Sequence, residues 1–330
     1  MIAQLDSSYI RIRPYKLWSR MITYLFFEGR PLTTRGRWIN YFVFRFLKIA
    51  KSLPLIKKVK KPIFIIGTGR SGTTMLGKIL SIHREIGWLN EPKALWHMVY
   101  PYEDLIGNYS NGPAFYRLSE KDVTDEVTEA LHRLYGLYLT VTFSERVLDK
   151  YPELIFRLPF IKAIFPDAKF IFLVRDGWDS CQSINIWSQR FGKRTALEIQ
   201  DWWGHNRRKW RLLVEQILPD HNDLYCHKDE MVHWNDQLQM AALEWILTMR
   251  EGIRMIERFP DDIIKVHYEV LVQDFPEEIK RIIQFLELQD DEAVLLYGKK
   301  ILKPLSHYPS FKLNQAIEKP FFETLEKLGY

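Results

Sequence analysis

Residues 63–74 read Ile63-Phe-Ile-Ile-Gly-Thr-Gly-Arg-Ser-Gly-Thr-Thr74, four large apolar residues running straight into a turn with three glycines. A short apolar run that ends at glycine predicts a buried strand. Gly67, Gly69 and Gly72 permit backbone angles that a side chain disfavours, so the chain can curl sharply here. Beyond the turn, Met75, Leu76, Ile79 and Leu80 recur at helical spacing. The unit is strand, turn and helix, and it brings a helix N-terminus, with its free N–H groups and positive dipole end, to the mouth of the turn.

Gly67 and Gly72 have the spacing of the phosphate-binding pattern G-x-x-x-x-G-K-[ST], in which the backbone surrounds a phosphate and the lysine reaches the β- and γ-phosphates. Position 73 is Thr73 instead of lysine, and the loop's one cation is Arg70. Two readings stand at this point. One is a tight strand-to-helix turn with no ligand; the other is an anion cradle suited to something other than nucleoside triphosphate hydrolysis.

The chain has 330 residues, enough for one large or two ordinary domains. With 47% hydrophobic, 27% charged and 14% aromatic residues it is globular and not disordered. Cys181 and Cys226 are too few and too far apart for a disulfide framework or a metal-ligand pattern, and are expected to be reduced core thiols in a reducing compartment.

The net charge of +6 hides an asymmetry. Residues 1–61 hold fourteen Lys and Arg against Asp6 and Glu28, a net +12, while the remainder holds 33 basic and 39 acidic residues, a net −6. The same segment is rich in Trp18, Tyr24, Phe26, Phe27, Trp38, Tyr41, Phe42, Phe44 and Phe46, yet no run reaches the roughly 18 apolar residues of a spanning helix. Nor does it show the charged and apolar regions of a secretory signal, so a cytoplasmic protein is expected, peripheral at the membrane if this segment binds lipid. A basic, aromatic stretch can lie in an anionic membrane interface. Alternatively, two short helices pack their aromatic faces on the main domain and leave the lysines in water. Nucleic acid is the weakest of the three occupants, because a basic patch is a generic signal.

Pro31, Pro54 and the run Lys57, Lys58, Lys60, Lys61 mark breaks that divide the chain into a basic, aromatic-rich N-terminal helical extension, residues 1–61, and a domain from 62 to 330. Apolar runs at Leu154–Phe156, Lys169–Val174 and Ile263–Val266, each followed by helix-compatible sequence, predict parallel strands with helical crossovers. Long helices are expected over about Glu198–Leu218, with Trp202, Trp203 and Trp210 in the core, and about Gln237–Arg258. The fold class is α/β, a P-loop-like three-layer sandwich with a central parallel sheet flanked by helices. A loop-rich stretch, Tyr100–Ser119, follows the phosphate loop and is expected to border an acceptor pocket.

A second strand, Phe170-Ile-Phe-Leu-Val174, ends in Arg175 and Asp176, and Ser183 follows eight positions after the arginine on a predicted helix start. Ligands of α/β sheets bind at such strand ends. Arg175 there either binds a phosphate bidentately or pairs with Asp176 or Asp179. Together the two segments resemble the halves of the cofactor site of the sulfotransferase family that uses 3′-phosphoadenosine 5′-phosphosulfate (PAPS). Its [RK]-S-G-T-[ST] loop for the 5′-phosphosulfate matches Arg70-Ser71-Gly72-Thr73-Thr74, and its R-D/N-x(6)-S element for the 3′-phosphate matches Arg175 and Ser183. A third feature, Y-E-x-L-V at a strand end and a later F-L-x-L, matches Tyr268–Val272 and Phe285–Leu288. The resemblance spans residues 62–290, and the arginine form of the loop is similar to the branch of tyrosylprotein and bacterial sulfotransferases.

That resemblance implies PAPS as donor, 3′-phosphoadenosine 5′-phosphate (PAP) as product and no metal. It implies a catalytic glutamate at Glu91, 21 positions after Arg70 and just before Pro92, a residue suited to the first position of a helix. Glu91 has a second reading as a carboxylate favourable to that helix dipole. Arg70 is implied as both catalytic and cofactor-binding; Ser71, Gly72, Thr73, Thr74, Arg175, Ser183, Tyr268 and Lys303 are implied around the cofactor. His97 is the rival base. Arg157-Leu-Pro159, expected at a strand end, departs from the Lys-Thr-Pro-like segment of relatives, and the glycine- and lysine-rich C-terminal motif of small-molecule enzymes is not evident. The expected acceptor is a hydroxyl of a carbohydrate, glycolipid or similar molecule. A P-loop nucleotide kinase or other NTP-dependent enzyme and a non-enzymatic membrane-binding module are the competing readings; Thr73 argues against the first.

Overall fold

The computed structural model describes residues 2–31, 34, 36–195 and 198–330. Five parallel strands form the central sheet: β1 (Ile63–Gly67), β2 (Ile86–Asn90), β3 (Arg146–Lys150), β4 (Lys169–Val174) and, last in the chain, Ile263–His267. Three short antiparallel strands, β5 (Lys193–Arg194), β6 (Ile199–Asp201) and β7 (Gly204–His205), make a separate ribbon, so Ile263–His267 is β8. The order across the main sheet is β2-β3-β1-β4-β8. From β1 the chain crosses to the edge strand β2 and returns to β3 between them, then passes to the other side of β1 for β4 and β8, which places the switch in direction at the C-terminal end of β1, where the glycine turn begins.

Alternation along β1 makes the layers. Ile63 and Ile65 point into one core, with Leu76, Ile79 and Leu80 of the helix Thr73–Ser81 and with Ile279, Ile282 and Ile283 of the helix Phe275–Phe285. Phe64 and Ile66 point into the other, among the helices Asp125–Val141 and Gln237–Arg258. All five residues of β1 are buried, as a central parallel strand requires. The three-layer α/β architecture is therefore as expected.

Three expected elements differ. Leu154–Phe156 lies in a 3₁₀ turn, Pro152–Arg157, and the strand of that region is β3 upstream. β3 reads Arg-Val-Leu-Asp-Lys, and its buried charged residues, which break any apolar run, are each held by partners inside the fold. Arg146 Nε donates to the Lys61 carbonyl at 2.8 Å, Asp149 accepts from Trp96 Nε1 at 2.9 Å and the Tyr135 hydroxyl at 2.5 Å, and Lys150 meets Glu91. The helix expected over Glu198–Leu218 starts only at Arg208 and ends at Gln216, because Ile199–His205 forms the β6–β7 hairpin. Cys181 is buried but Cys226 is exposed, so only one of the two is a core thiol. The helix Gln237–Arg258 and the strands β4 and β8 stand where expected.

The N-terminal segment is helical, with Ser7–Ile12, Lys16–Ile22 and Ile39–Ser52 joined by a π turn at Thr23–Phe27 and a loop. It is locked to the sheet. Arg20 is buried between the Glu28 carboxylate at 2.8 Å and the Trp88 carbonyl at 2.8 Å, and Lys16 Nζ donates to the Ile86 carbonyl at 2.5 Å. Phe27, Val43, Leu47 and Ala50 enter the same core as Phe64 and Ile66. Among the described residues no helix is long and apolar enough to cross a membrane.

Candidate active site

The C-terminal ends of the five strands each deliver a polar group to one side of the sheet. Glu91 follows β2, Lys150 ends β3, the loop Thr68–Gly72 follows β1, Arg175 follows β4 and Tyr268 follows β8. Strand register makes the first two neighbours: Asn90 pairs with Lys150, and the Glu91 N–H donates to the Lys150 carbonyl at 2.8 Å.

The loop is shaped for an anion. Gly72 sits at φ 96°, where its missing side chain leaves room for Tyr268; a Cβ would lie 2.3 Å from that ring. Gly72 is also the N-cap of the helix Thr73–Ser81, and among the described residues no side chain caps it, which leaves the first-turn N–H groups of Thr73 and Thr74 available to an anion in the cleft those residues line. Ser71 is fully buried and its hydroxyl donates to the Thr68 carbonyl at 2.6 Å, which closes the loop.

Two guanidinium groups meet over this cradle. Arg70, at φ 71° and exposed to the cleft, donates through Nε to the Ser183 hydroxyl at 3.3 Å, and Arg175 donates to the Arg70 carbonyl at 3.2 Å. Ser183 is on the helix Gly177–Phe191, so the two sequence segments do converge on one place. Arg175 also pairs with the buried Asp179 at 3.5 Å and lies over the Tyr268 ring at 5.1 Å from its centroid, so the ion pair weighed above exists alongside the cleft position. Desolvation and the adjacent Arg175 cation push the Arg70 guanidinium below its ordinary value, against the opposing pull of the Glu91 carboxylate. A cavity of about 370 Å³ lies here, lined by Arg70, Gly72, Thr73, Thr74, Arg175, Ser183 and Tyr268. The paired cations, the uncapped helix start and a buried Arg175 Nε without a partner fit a ligand with two separated phosphate-type groups.

A second cavity, about 170 Å³, shares Arg70, Thr73 and Thr74 with the first and adds Glu91, Lys93, Lys150, Glu153 and Lys209. Its walls come from Ile106 and Asn108 of the Tyr100–Ser119 stretch, from Trp187, and from Gln200, Asp201 and Trp202. Trp202, expected in a helix and in the core, instead lies over Gly69 and donates to Glu244 at 2.6 Å. The loop-rich stretch does border this cavity.

Glu91 stands at φ 50°, a left-handed conformation uncommon for a residue with a side chain, and one that recurs where function holds the backbone. Its carboxylate meets Lys150 and, at 3.3 Å, Lys93. Enclosure alone would raise the Glu91 carboxyl; the charges of Lys150 and Lys93 outweigh it and hold the carboxyl well below the usual carboxylate range. The charges continue inward in alternation. Lys93 approaches Glu153 at 3.9 Å, Lys209 reaches Glu153 at 3.4 Å, and Lys209 meets Glu244 at 2.5 Å. Pro92 is the N-cap and Lys93 the first residue of the helix Lys93–Val99, one position later than expected.

A family model described as the sulfotransferase family matches residues 62–292, the whole sheet and every strand end just described. The chain belongs to the sulfotransferase family. Curated relatives include protein-tyrosine sulfotransferase 1 of Danio rerio, 26% identical over 76% of this chain and 60% of the relative. They also include the protein-tyrosine sulfotransferase of Drosophila melanogaster, 24% identical over 73% of this chain and 41% of the relative. The chain thus spans about half the length of these curated relatives. A solved sulfotransferase domain from the Synechococcus PCC 7002 olefin synthase aligns with TM-score 0.49 at 18% identity, over 84% of this chain and 97% of that one.

Within this family member, three expected positions lie elsewhere. His97 packs between the rings of Phe44 and Tyr109 and lines neither cavity that holds Arg70. Arg157 is buried against Glu103 at 3.3 Å and the Phe115 and Tyr116 carbonyls, where it holds the Tyr100–Ser119 stretch. Lys303 is exposed in the irregular stretch before the last helix and lines neither cavity. The sequence reading missed Lys150, Lys93, Glu153 and Lys209. Lys93 sits two residues from Glu91 and was accessible as a nearby opposite charge; Lys150 was hidden by the misplaced strand.

Proposed function

We propose that the chain transfers the sulfuryl group of PAPS to an acceptor hydroxyl with Glu91 as general base. The observation that carries this reading is the meeting of Arg70, Lys150 and Glu91 in one cavity that opens, through Thr73 and Thr74, onto the Arg70–Arg175 cradle. The cradle residues Gly72, Thr73 and Thr74 would hold the 5′-phosphosulfate through their N–H groups, and Arg175 with Ser183 would hold the 3′-phosphate. Bound PAPS supplies an activated sulfuryl group on a phosphate leaving group.

Sulfuryl transfer, like phosphoryl transfer, calls chiefly for positioning and charge neutralisation. Arg70 and Lys150 stand where they can neutralise the sulfuryl and departing phosphate oxygens. Glu91 accepts the acceptor proton as the acceptor oxygen bonds to sulfur and the sulfur–phosphate oxygen bond breaks, yielding a sulfate ester and PAP. Two lysines keep this carboxylate ionised at neutral pH and so free of a proton, while the same charges lower its strength as a base, so its proton uptake depends on charge shifting from the lysines to the transferring group.

For the acceptor, Trp187 and Trp202 beside Gln200, Asp201 and Asn108 offer flat apolar faces next to hydrogen-bonding groups, a pairing suited to a sugar ring or glycolipid headgroup. The printed names of the relatives favour a second reading, a tyrosyl hydroxyl of a protein. Incubation with sulfur-labelled PAPS and separate carbohydrate, lipid and tyrosyl-peptide pools decides between them. Label in the carbohydrate or lipid pool supports the first, label in peptide the second, and label in none removes the activity.

A further inference from the structure

The helix Ile39–Ser52 is amphipathic in an unusual sense. Its inner face, Val43, Leu47 and Ala50, is buried in the domain, yet its outer face is also apolar and aromatic. Trp38 is 72% exposed, Tyr41 59%, Phe42 58% and Ile49 64%, and these positions, three and four apart, form one stripe together with Arg45 and Lys48. The stripe continues into Leu53, Leu55 and Ile56, all exposed.

The end of this stretch lies against the C-terminal half of the helix Asp125–Val141: Leu55 packs at Gly136, and Lys57 Nζ donates to the Ser144 carbonyl at 2.9 Å. That corner carries Phe143, 81% exposed, and Trp18, whose indole donates to the Val141 carbonyl at 3.2 Å while its ring stays 58% exposed. Exposed aromatic and aliphatic side chains thus follow one another along this stretch instead of standing singly, the arrangement that marks an interaction surface. Arg45, Lys48, Lys58 and Lys60 have no acidic partner among the described residues, while Lys51 and Lys57 at the end of this stretch are paired with the exposed Glu126 and Glu145, so its unpaired charge is basic at Arg45 and Lys48.

We infer that this face is an interfacial docking surface for an anionic lipid bilayer. Tryptophan, tyrosine and phenylalanine prefer the headgroup region, and lysine and arginine beside them add attraction to anionic lipid. The exposed Arg45 and Lys48 within the stripe favour its approach to a negative surface, whereas other cations of residues 1–61 are engaged elsewhere, Arg13 with Asp291, Arg20 with Glu28 and Lys61 with Glu287. The inner side of the same helix touches the wall of the site. Asn40 exchanges hydrogen bonds with the Arg30 backbone at 2.7 and 2.9 Å, and Phe44 meets Tyr109 at 5.0 Å. Arg30 and Tyr109, with Glu91 and Thr74, line an adjoining cavity of about 350 Å³. Docking thus holds the cavity wall near the bilayer, whatever the acceptor is.

The full chain is tested by co-sedimentation with vesicles of phosphatidylcholine alone and of phosphatidylcholine with phosphatidylserine, at low and high salt. Binding to the anionic vesicles that falls at high salt is expected. A Trp38→Ser, Phe42→Ser, Ile49→Ser variant and an Arg45→Glu, Lys48→Glu variant should each bind at least about tenfold more weakly. The altered side chains are exposed, so unchanged circular dichroism and melting temperature establish that both variants fold. Absence of binding to anionic vesicles, or equal binding by the variants, overturns the proposal. So does a dimer in light scattering that the triple variant dissolves while vesicles bind neither form; the face would then join two copies of this chain.

Discussion

Glu91 and Lys150 are joined twice, by the Glu91 N–H on the Lys150 carbonyl at 2.8 Å and by the ion pair between their side chains. The backbone link fixes the two residues at the ends of adjacent strands, so the carboxylate and ammonium enter the cavity as a pre-set pair. Glu91 can receive a proton only if this pair leaves the carboxylate in reach of the acceptor, and its side chain is 37% exposed while Lys150 is 2% exposed.

Glu91→Gln keeps the shape and removes the base. Turnover of labelled PAPS should fall by about 10²–10⁴-fold, the usual contribution of a general base. PAP affinity, measured by calorimetry, should stay within about twofold, because Glu91 lies outside the residues around the cradle. Full activity in this variant would move the base role to another group.

Lys150 sets the pH at which Glu91 works. The base is active when ionised, and its depressed value keeps it ionised down into acid, so the native rate should hold through pH 5 and fail only at lower pH. Lys150→Met removes the larger of the two lysine influences and leaves Lys93 alone against enclosure, so the acid limb of kcat/KM should move upward by about 1–3 pH units. A lower plateau with an unmoved acid limb would show that Lys150 acts on the sulfuryl oxygens alone.

Gly72→Ala tests the cradle. At φ 96° with the Tyr268 ring in the way, an added methyl group forces the loop or the ring aside. A stability loss of at least about 1 kcal/mol is expected from the backbone alone. PAP binding should fall with it, while Gly36→Ala, where nothing lies within 4 Å, should leave PAP binding unchanged.

Asp6 ties the N-terminal segment to the helix behind the loop. It caps Ser7–Ile12, pairs with Lys78 at 2.6 Å and accepts from the Tyr297 hydroxyl at 2.8 Å. Partial burial raises its carboxyl, but Lys78, the Tyr9 N–H and Tyr297 bring it down to about 2 from an ordinary 3.8. A depressed carboxylate stabilises the fold above pH 3.8 and loses that contribution as pH falls toward 2. Asp6→Ala should cost about 1 kcal/mol at pH 7, the usual worth of an N-cap, with the difference narrowing below pH 4 in denaturant titrations.

The sequence carried the parts of this site that depend on local chemistry. The loop Gly67–Gly72 needed only apolar residues and glycines in order, and β4 with Arg175 needed a clean apolar run. β3 was illegible because Arg146, Asp149 and Lys150 are held by partners 14 to 140 positions away, a pairing no local window holds. The hairpin Ile199–His205 reads as helix because Trp203 falls at helical spacing with Trp210 and Leu213 downstream, whereas Trp202 is placed by Glu244 and Gly69. Cavity walls assembled from Pro31, Ile106, Trp187 and Trp202 leave no pattern along the chain.

The central claim is that Arg70 and Arg175 jointly hold a donor with two phosphate-type groups. Isothermal titration of the full chain with PAP in the absence of magnesium tests it most directly. The account predicts saturable binding, weakened by about 10–100-fold in Arg70→Ala and in Arg175→Ala, as loss of a charged hydrogen-bonding group implies. No binding of PAP, together with saturable binding of magnesium ATP, would contradict it.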